Sequence, residues 1–324
     1  MDNERMILKI LEMYYEQELT QSEISKRLNI SRPTVSRSIN KAKRNGYVEI
    51  KINYPNYFKP KLESSLEEKY KLSEVIVIPN QDNKDTLEQV SYFAADYLLR
   101  VIDNNMTIAL TRGITLENMV NHLKNDVRLK FLDLKNITFV PLIGDNNPDQ
   151  SKNKYFRFSY SNYIIEEIAH LFDAKCYQLL APQYLSSSNT KNVLLNEPSI
   201  QTTMEVIKNS DLAIIGIGTI NKKSSSHFVE NITTELLQKL ESQGGIGEIL
   251  AHVYDINGKL VKPSYEERIM SLEIDDFIKI PTRVGVAFGY EKKEAILGAL
   301  RGEFINVLIT DEIVANYLLA HNIY

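Results

Sequence analysis

The stretch TRGIT, residues 111–115, sets two threonine hydroxyls and a glycine where a helix begins. The first N–H groups of a helix have no acceptor within it. Those of Gly113, Ile114 and Thr115, with the hydroxyls of Thr111 and Thr115, can therefore face an anion. Lys292, in FGYEKK (288–293), opens another helix beside a glycine turn and offers a cation to the same anion. Together these pieces describe a phosphate-type site, although each loop taken singly is equally a tight turn after a strand. Catalytic patterns are thin. His122, His170, His227, His252 and His321 lack metal-ligand spacing. Neither a nucleophile elbow, a Walker loop nor a complete G-x-G-x-x-G occurs, and GIG (216–218) is a fragment of the last. Asp255, Asp275 and Asp276 are suited to proton transfer but have no identifiable partner. No cofactor or metal is expected.

A second kind of chemistry sits at SRPTVSRSINKAKRNG, residues 31–46. Ser31 caps a helix, Pro33 occupies its first turn, and Val35, Ile39 and Ala42 form an apolar stripe. Arg32, Thr34, Ser36, Arg37, Asn40 and Lys41 are left off that stripe, with Ser31 and Lys43 beside them. Such side chains read base edges and phosphates. Upstream, Thr20 and Glu23 make a capping box, Ile24 and Leu28 share one face, and Asn29 suits a left-handed stop. Two capped helices about a tight turn are a helix-turn-helix. A helix over 4–16 would add Ile7, Leu8, Leu11 and Tyr15 as a third wall. YVEIKIN (47–53) alternates as a wing strand would. The alternative is a small helical interaction domain with a solvated basic face.

The elements that carry these groups follow from composition and pattern. The chain has 324 residues and a net charge of −4. Residues 20–53 hold eight Lys/Arg against two Asp/Glu, or +6, which leaves −10 for the remainder. A basic module on an acidic body fits a nucleic-acid reader attached to something else. No apolar run approaches the roughly 18–20 residues of a membrane span. The first ten residues lack the order of a secretory signal. The single cysteine, Cys176, cannot pair internally and reads as a buried strand residue, so a cytoplasmic location is expected.

NYPNYFKP (53–60) reads as a stiff linker. Beyond it, β-branched apolar runs at 75–79, 106–110, 137–144, 175–182, 212–218, 283–289 and 305–310 alternate with helical patterns. Those fall at 85–102, 116–123, 160–171, 198–208, 233–241, 292–301 and 311–320. Such alternation means a mostly parallel, Rossmann-like sheet covered on both faces, with ligands at the carboxyl ends of its strands. GDNNPDQSKNK (144–154) and NKKSSSH (221–227) read as polar loops. The expected domains are a winged helix-turn-helix over 1–53, a linker over 54–61 and an α/β effector and oligomerisation domain over 62–324.

Across nearly its full length the sequence resembles the SorC family of sugar-responsive transcription regulators. The similarity runs through ISRPTVSRSINKAKRNGYVEIKI, GITLENMV, LLAPQYL, LLNEPSI, SDLAIIGIGTI, AHVYDINGKLV and VGVAFGYEKKEAILGALRGEFINVLITDEIVANYLL. The resemblance implies a sugar-phosphate-isomerase-like effector domain, operator DNA as partner, a phosphorylated sugar as effector and a homotetramer built as a dimer of dimers. By position it gives Gly113, Ile114 and Thr115 to the phosphate, Asn162 to a polar pocket wall, Asp255 to sugar hydroxyls and Lys292 to the phosphate or carbonyl. Arg112, Ile114 and Phe288 depart from the family's usual residues. An isomerase or aldolase using the same pocket is the competing expectation.

Overall fold

Two hydroxyl caps fix where the second and third helices of the N-terminal unit begin. In this computed structural model the described residues are 2–48, 59–80, 82–145, 160–220, 233–261 and 266–322. The chain divides into two units, residues 1–55 and 56–324. In the first, α1 (Asp2–Leu11) runs into a single π turn (Glu12–Glu16), followed by α2 (Gln21–Leu28) and α3 (Arg32–Arg44). Thr20 Oγ1 accepts from the Glu23 N–H at 3.3 Å, while the Glu23 carboxylate accepts from the Thr20 N–H at 2.8 Å. Ser31 Oγ accepts from the Thr34 N–H at 3.3 Å. Between the helices Asn29 adopts the left-handed conformation (φ 52°), and Ser25 donates to the Ile30 carbonyl at 2.6 Å, tying the turn shut.

Ile10, Met13, Ile24, Val35 and Ile39 form the centre of this unit, extended by Ile7, Leu11 and Ala42. Leu8 and Tyr15, expected in the third wall, are instead exposed. Ile7, Ile10 and Leu11 define the buried face of α1, which turns Leu8 outward. The π turn adds a residue to the next turn and brings Met13, not Tyr15, to the core. Val48 packs on Ile7, Leu11 and Ala42. Residues 49–53 of the expected wing lie outside the described residues, as do 54–58 of the expected linker and most of the two polar loops.

The second unit opens with α4 (Pro60–Tyr70), which starts inside the stretch read as linker. The seven-stranded sheet comprises β1 (Glu74–Ile78), β2 (Thr107–Leu110), β3 (Thr138–Pro141), β4 (Lys175–Cys176), β5 (Leu212–Gly216), β9 (Thr282–Val286) and β10 (Val307–Asp311). It runs in the order β1-β10-β9-β5-β2-β3-β4 with every pair parallel. Successive strand residues point to opposite faces. Ile108, Leu110, Leu212 and Ile214 meet α5 (Asn83–Val101), α6 (Ile114–Lys124) and α7 (Ser161–Leu171). Ala109, Ala213 and Ile215 meet α4, α9 (Pro198–Lys208), α12 (Lys293–Arg301) and α13 (Glu312–Ala320).

At one edge the outward N–H groups of Val75 and Val77 donate to the carboxylates of Glu67 and Glu63 on α4, at 2.9 and 3.0 Å. At the other edge β4 is two residues long rather than the eight-residue strand expected. Cys176 is therefore exposed, not buried: an edge strand this short leaves its side chains without a covering layer. A second, antiparallel sheet joins β6 (Gly218–Thr219), β7 (Gly245–Ile249) and β8 (His252–Asp255). The turn between β7 and β8 is Leu250–Ala251, with φ of 51° and 68°. A type I′ hairpin turn needs positive φ at both residues, and glycine or asparagine normally supplies it. Here burial of both side chains and a bond from the Ala251 N–H to the Glu248 carboxylate (3.1 Å) hold it. Helices α8 (Ser188–Leu195), α10 (Thr234–Ser242) and α11 (Ile274–Phe277) complete the layers.

On α6, burial pushes the Glu117 carboxyl up to about 7, partly offset by a hydrogen bond from Asn121. A carboxyl raised on folding favours the folded state fully below its unfolded value of 4.5, and that contribution is lost as pH rises through about 7. Glu117→Gln should therefore raise the thermal unfolding midpoint over wild type at about pH 8, and the difference should vanish near pH 4.

Candidate functional site

The crossovers leave adjacent strands β2 and β5 in opposite directions, one towards β3 and one towards β9, so a crevice opens at their carboxyl ends. The Thr111 N–H donates to the Ile214 carbonyl, and Thr111 Oγ1 accepts from the Gly216 N–H, both at 3.3 Å. These bonds staple the two loops at the crevice floor. Gly113 (φ 132°, ψ 163°) then turns the chain into α6, whose first N–H groups receive no side-chain cap. That backbone conformation is essentially confined to glycine. On the opposite wall Gly289 (φ 97°) donates to the Asp311 carboxylate at 2.8 Å and leads into the short turn that presents Lys292.

A cavity of ≈ 260 Å³ fills the crevice. Thr111, Gly113, Ile114, Thr115 and Lys292 line it together, as do Arg112, Gln183, the 216–218 loop, Glu248, Leu250 and Phe288. The Lys292 ammonium has no hydrogen-bond or ion-pair partner among the described residues. Burial lowers its ammonium below the usual lysine range, while the charges of Glu248 and Glu291 act the other way. The lysine is thus a desolvated cation beside an uncapped helix start, an arrangement that favours an incoming anion.

Asn162 and Asp255 are not in the cavity lining. The Asn162 side chain donates to Asp145 (2.7 Å) and to the Leu179 carbonyl (3.1 Å), and accepts from the Leu179 N–H (2.9 Å). It holds Asp145, which closes the start of α7 by accepting from the Ser161 N–H at 2.6 Å. Asp255 Oδ1 accepts from the N–H groups of Asn257 and Lys259 at 2.9 Å, closing the turn after β8. Asp276 is paired with Lys208 and Lys279. No group of metal-binding side chains occurs among the described residues. Glu248 was not singled out from sequence, and Arg112 was marked only as a departure from the family's usual residues. Arg112 lies within TRGIT itself, and a charge set between a strand and an anion loop was the available signal.

In the N-terminal unit the buried stripe of α3 leaves Arg37, Asn40 and Lys41 exposed on the far side. Arg44, seven residues after Arg37, extends this row by two turns and was overlooked. Arg32 and Lys43 are exposed on its flanks, and Ser36 is half-buried. The Ser31 and Thr34 hydroxyls bond to each other at 2.8 Å at the helix start.

Residues 55–320 match the sugar-binding domain family, and residues 2–49 match the winged helix-turn-helix DNA-binding family. The sorbitol operon regulator of Klebsiella pneumoniae is 27% identical over 320 residues, covering 98% of each chain. The deoxyribonucleoside regulator of Bacillus subtilis (strain 168) is 27% identical over 98% of this chain and 99% of its own. The crystal structure of full-length SorC from Klebsiella pneumoniae superposes with a TM-score of 0.72, covering 98% of this chain and 100% of that one. These relatives are regulators rather than enzymes, which removes the isomerase or aldolase alternative. With more than half its length in the sugar-binding domain family and a DNA-binding helix-turn-helix ahead of it, the chain belongs to the SorC family of sugar-binding transcriptional regulators.

Proposed function

We propose that this regulator binds operator DNA through α3 and that a phosphorylated sugar, held at the β2–β5 crevice, controls that binding. The carrying observation is the convergence of the uncapped α6 start, the Thr115 position and an unpaired, desolvated Lys292 on one cavity. Backbone donors and the helix dipole favour a dianionic phosphate there, and the sugar ring then faces the mixed wall of Gln183, Glu248 and Leu250. Asn162 and Asp255, outside the cavity lining, would contribute only by fixing the start of α7 and the turn after β8. The protein would work in the cytoplasm as a homotetramer, because a single helix-turn-helix covers one half-site and palindromic operators call for paired units.

Lys292→Ala and Thr115→Val should abolish the change in operator affinity produced by a phosphorylated sugar while leaving ligand-free operator binding intact. Fluorescence anisotropy with and without a panel of sugar phosphates reads both. Turnover of the sugar phosphate with no change in DNA affinity would refute the proposal. At the DNA, Arg37→Ala should cost ~1–3 kcal/mol at the specific site if the guanidinium pairs with a guanine. Lys43→Ala should weaken all sequences about equally and flatten the salt dependence. Light scattering of the operator complex should give the mass of four chains plus the bound DNA.

A further inference from the structure

Arg112 is a charged side chain with 9% of its surface exposed, set in the wall of the cavity. Its Nη1 donates to the Gly144 carbonyl at 3.1 Å and its Nη2 to the Gln183 side-chain oxygen. Both acceptors are neutral. Asp145 and Glu248 are close enough for their charges to be felt, yet no carboxylate among the described residues forms an ion pair with it. Asp145 is already committed to the start of α7. Three of the five N–H donors of this guanidinium therefore have no acceptor among the described residues. Burying a cation without a counter-ion is costly, and proteins seldom retain one without a use.

The direction of Arg112 separates it from the phosphate site. Its guanidinium reaches towards Gly144 and Gln183, beyond β3, whereas the α6 start and Lys292 lie along the 113–115 and 289–292 loops. We infer that the cavity holds a second anion subsite at Arg112, and that the effector is a sugar phosphate bearing a second anionic group, a carboxylate or a second phosphate, at its other end. The Arg112 fork fits either oxyanion through paired N–H donors. Gln183, with its oxygen held by Arg112, fixes the plane of that fork. This inference rests on the phosphate reading above and adds the identity of the ligand's far end.

Calorimetry on the full-length protein distinguishes the two. The probes are glucose 6-phosphate against 6-phosphogluconate, and fructose 6-phosphate against fructose 1,6-bisphosphate. In at least one pair the doubly anionic member should bind about tenfold or more tightly, and the pair that responds identifies the second group. Arg112→Met should reduce that ratio to near one while binding of the singly phosphorylated member persists. Arg112→Lys, which keeps the charge and loses the fork, should retain only part of it. Equal affinities within both pairs in wild type would overturn the second subsite while leaving the phosphate reading in place. A preference unchanged in Arg112→Met would do the same. If none of the four ligands binds, or if Thr115→Val does not weaken them, the phosphate reading fails, and this inference with it. Should Arg112→Met not fold, the wild-type ratios together with Arg112→Lys decide the question.

Discussion

Strands β2 and β5 share a parallel ladder, Ile108 to Leu212 through Leu110 to Ile214, yet the chain leaves them on opposite courses. Neither crossover covers the seam above their carboxyl ends, because each is drawn to its own side of the sheet. Everything that lines the cavity is placed by that gap. The turn at Gly113 lets α6 begin at its rim, the 216–218 loop forms its floor, and the small antiparallel sheet folds back to supply Glu248 and Leu250. Had β5 continued outward beside β4, the same loops would be ordinary strand-to-helix turns.

The N-terminal unit obeys a different economy of parts. Its centre has few large side chains, and the geometry of α3 depends on groups that define its ends: Ser31 at the start, Asn29 in the turn and the Ser25 hydroxyl on the Ile30 carbonyl. A serine and an asparagine do here what a small apolar residue and a glycine can do elsewhere. The serine adds a bond, and the asparagine tolerates positive φ at lower cost than other side chains. Three buried positions on α3, Val35, Ile39 and Ala42, then suffice to turn a row of basic and amide groups outward.

Elements announced by local chemistry were legible in the sequence. Helix α9 begins and ends where Pro198 and Lys208 mark it, and α2 and α3 start at their hydroxyl caps. What escaped depends on neighbours distant in sequence. The β7–β8 hairpin was missed because Leu250 and Ala251 give no turn signal, their left-handed backbone being imposed by burial. The run at 175–182 has the apolar content of a strand, but it meets the end of the sheet, where Leu179 and Ala181 are buried without pairing in it. Residues 60–70 were hidden by the proline and tyrosines before them, though Leu62 and Leu66 carry a helical stripe. At the cavity the loop residues were legible, whereas the role of Arg112 appears only once Gly144 and Gln183 surround it.

The other margin of the large sheet has its own logic. A strand at an edge offers a row of N–H groups to any passing chain. On β1 two of those groups are occupied by Glu63 and Glu67, whose carboxylates take the place of a neighbouring strand's carbonyls. The ladder is thereby terminated by anions that cannot propagate it. A further copy adding itself here would have to displace two hydrogen-bonded carboxylates and leave them buried against its own carbonyls. Self-recognition through backbone zippering is closed at this border, which leaves association to side-chain surfaces that discriminate one partner from another.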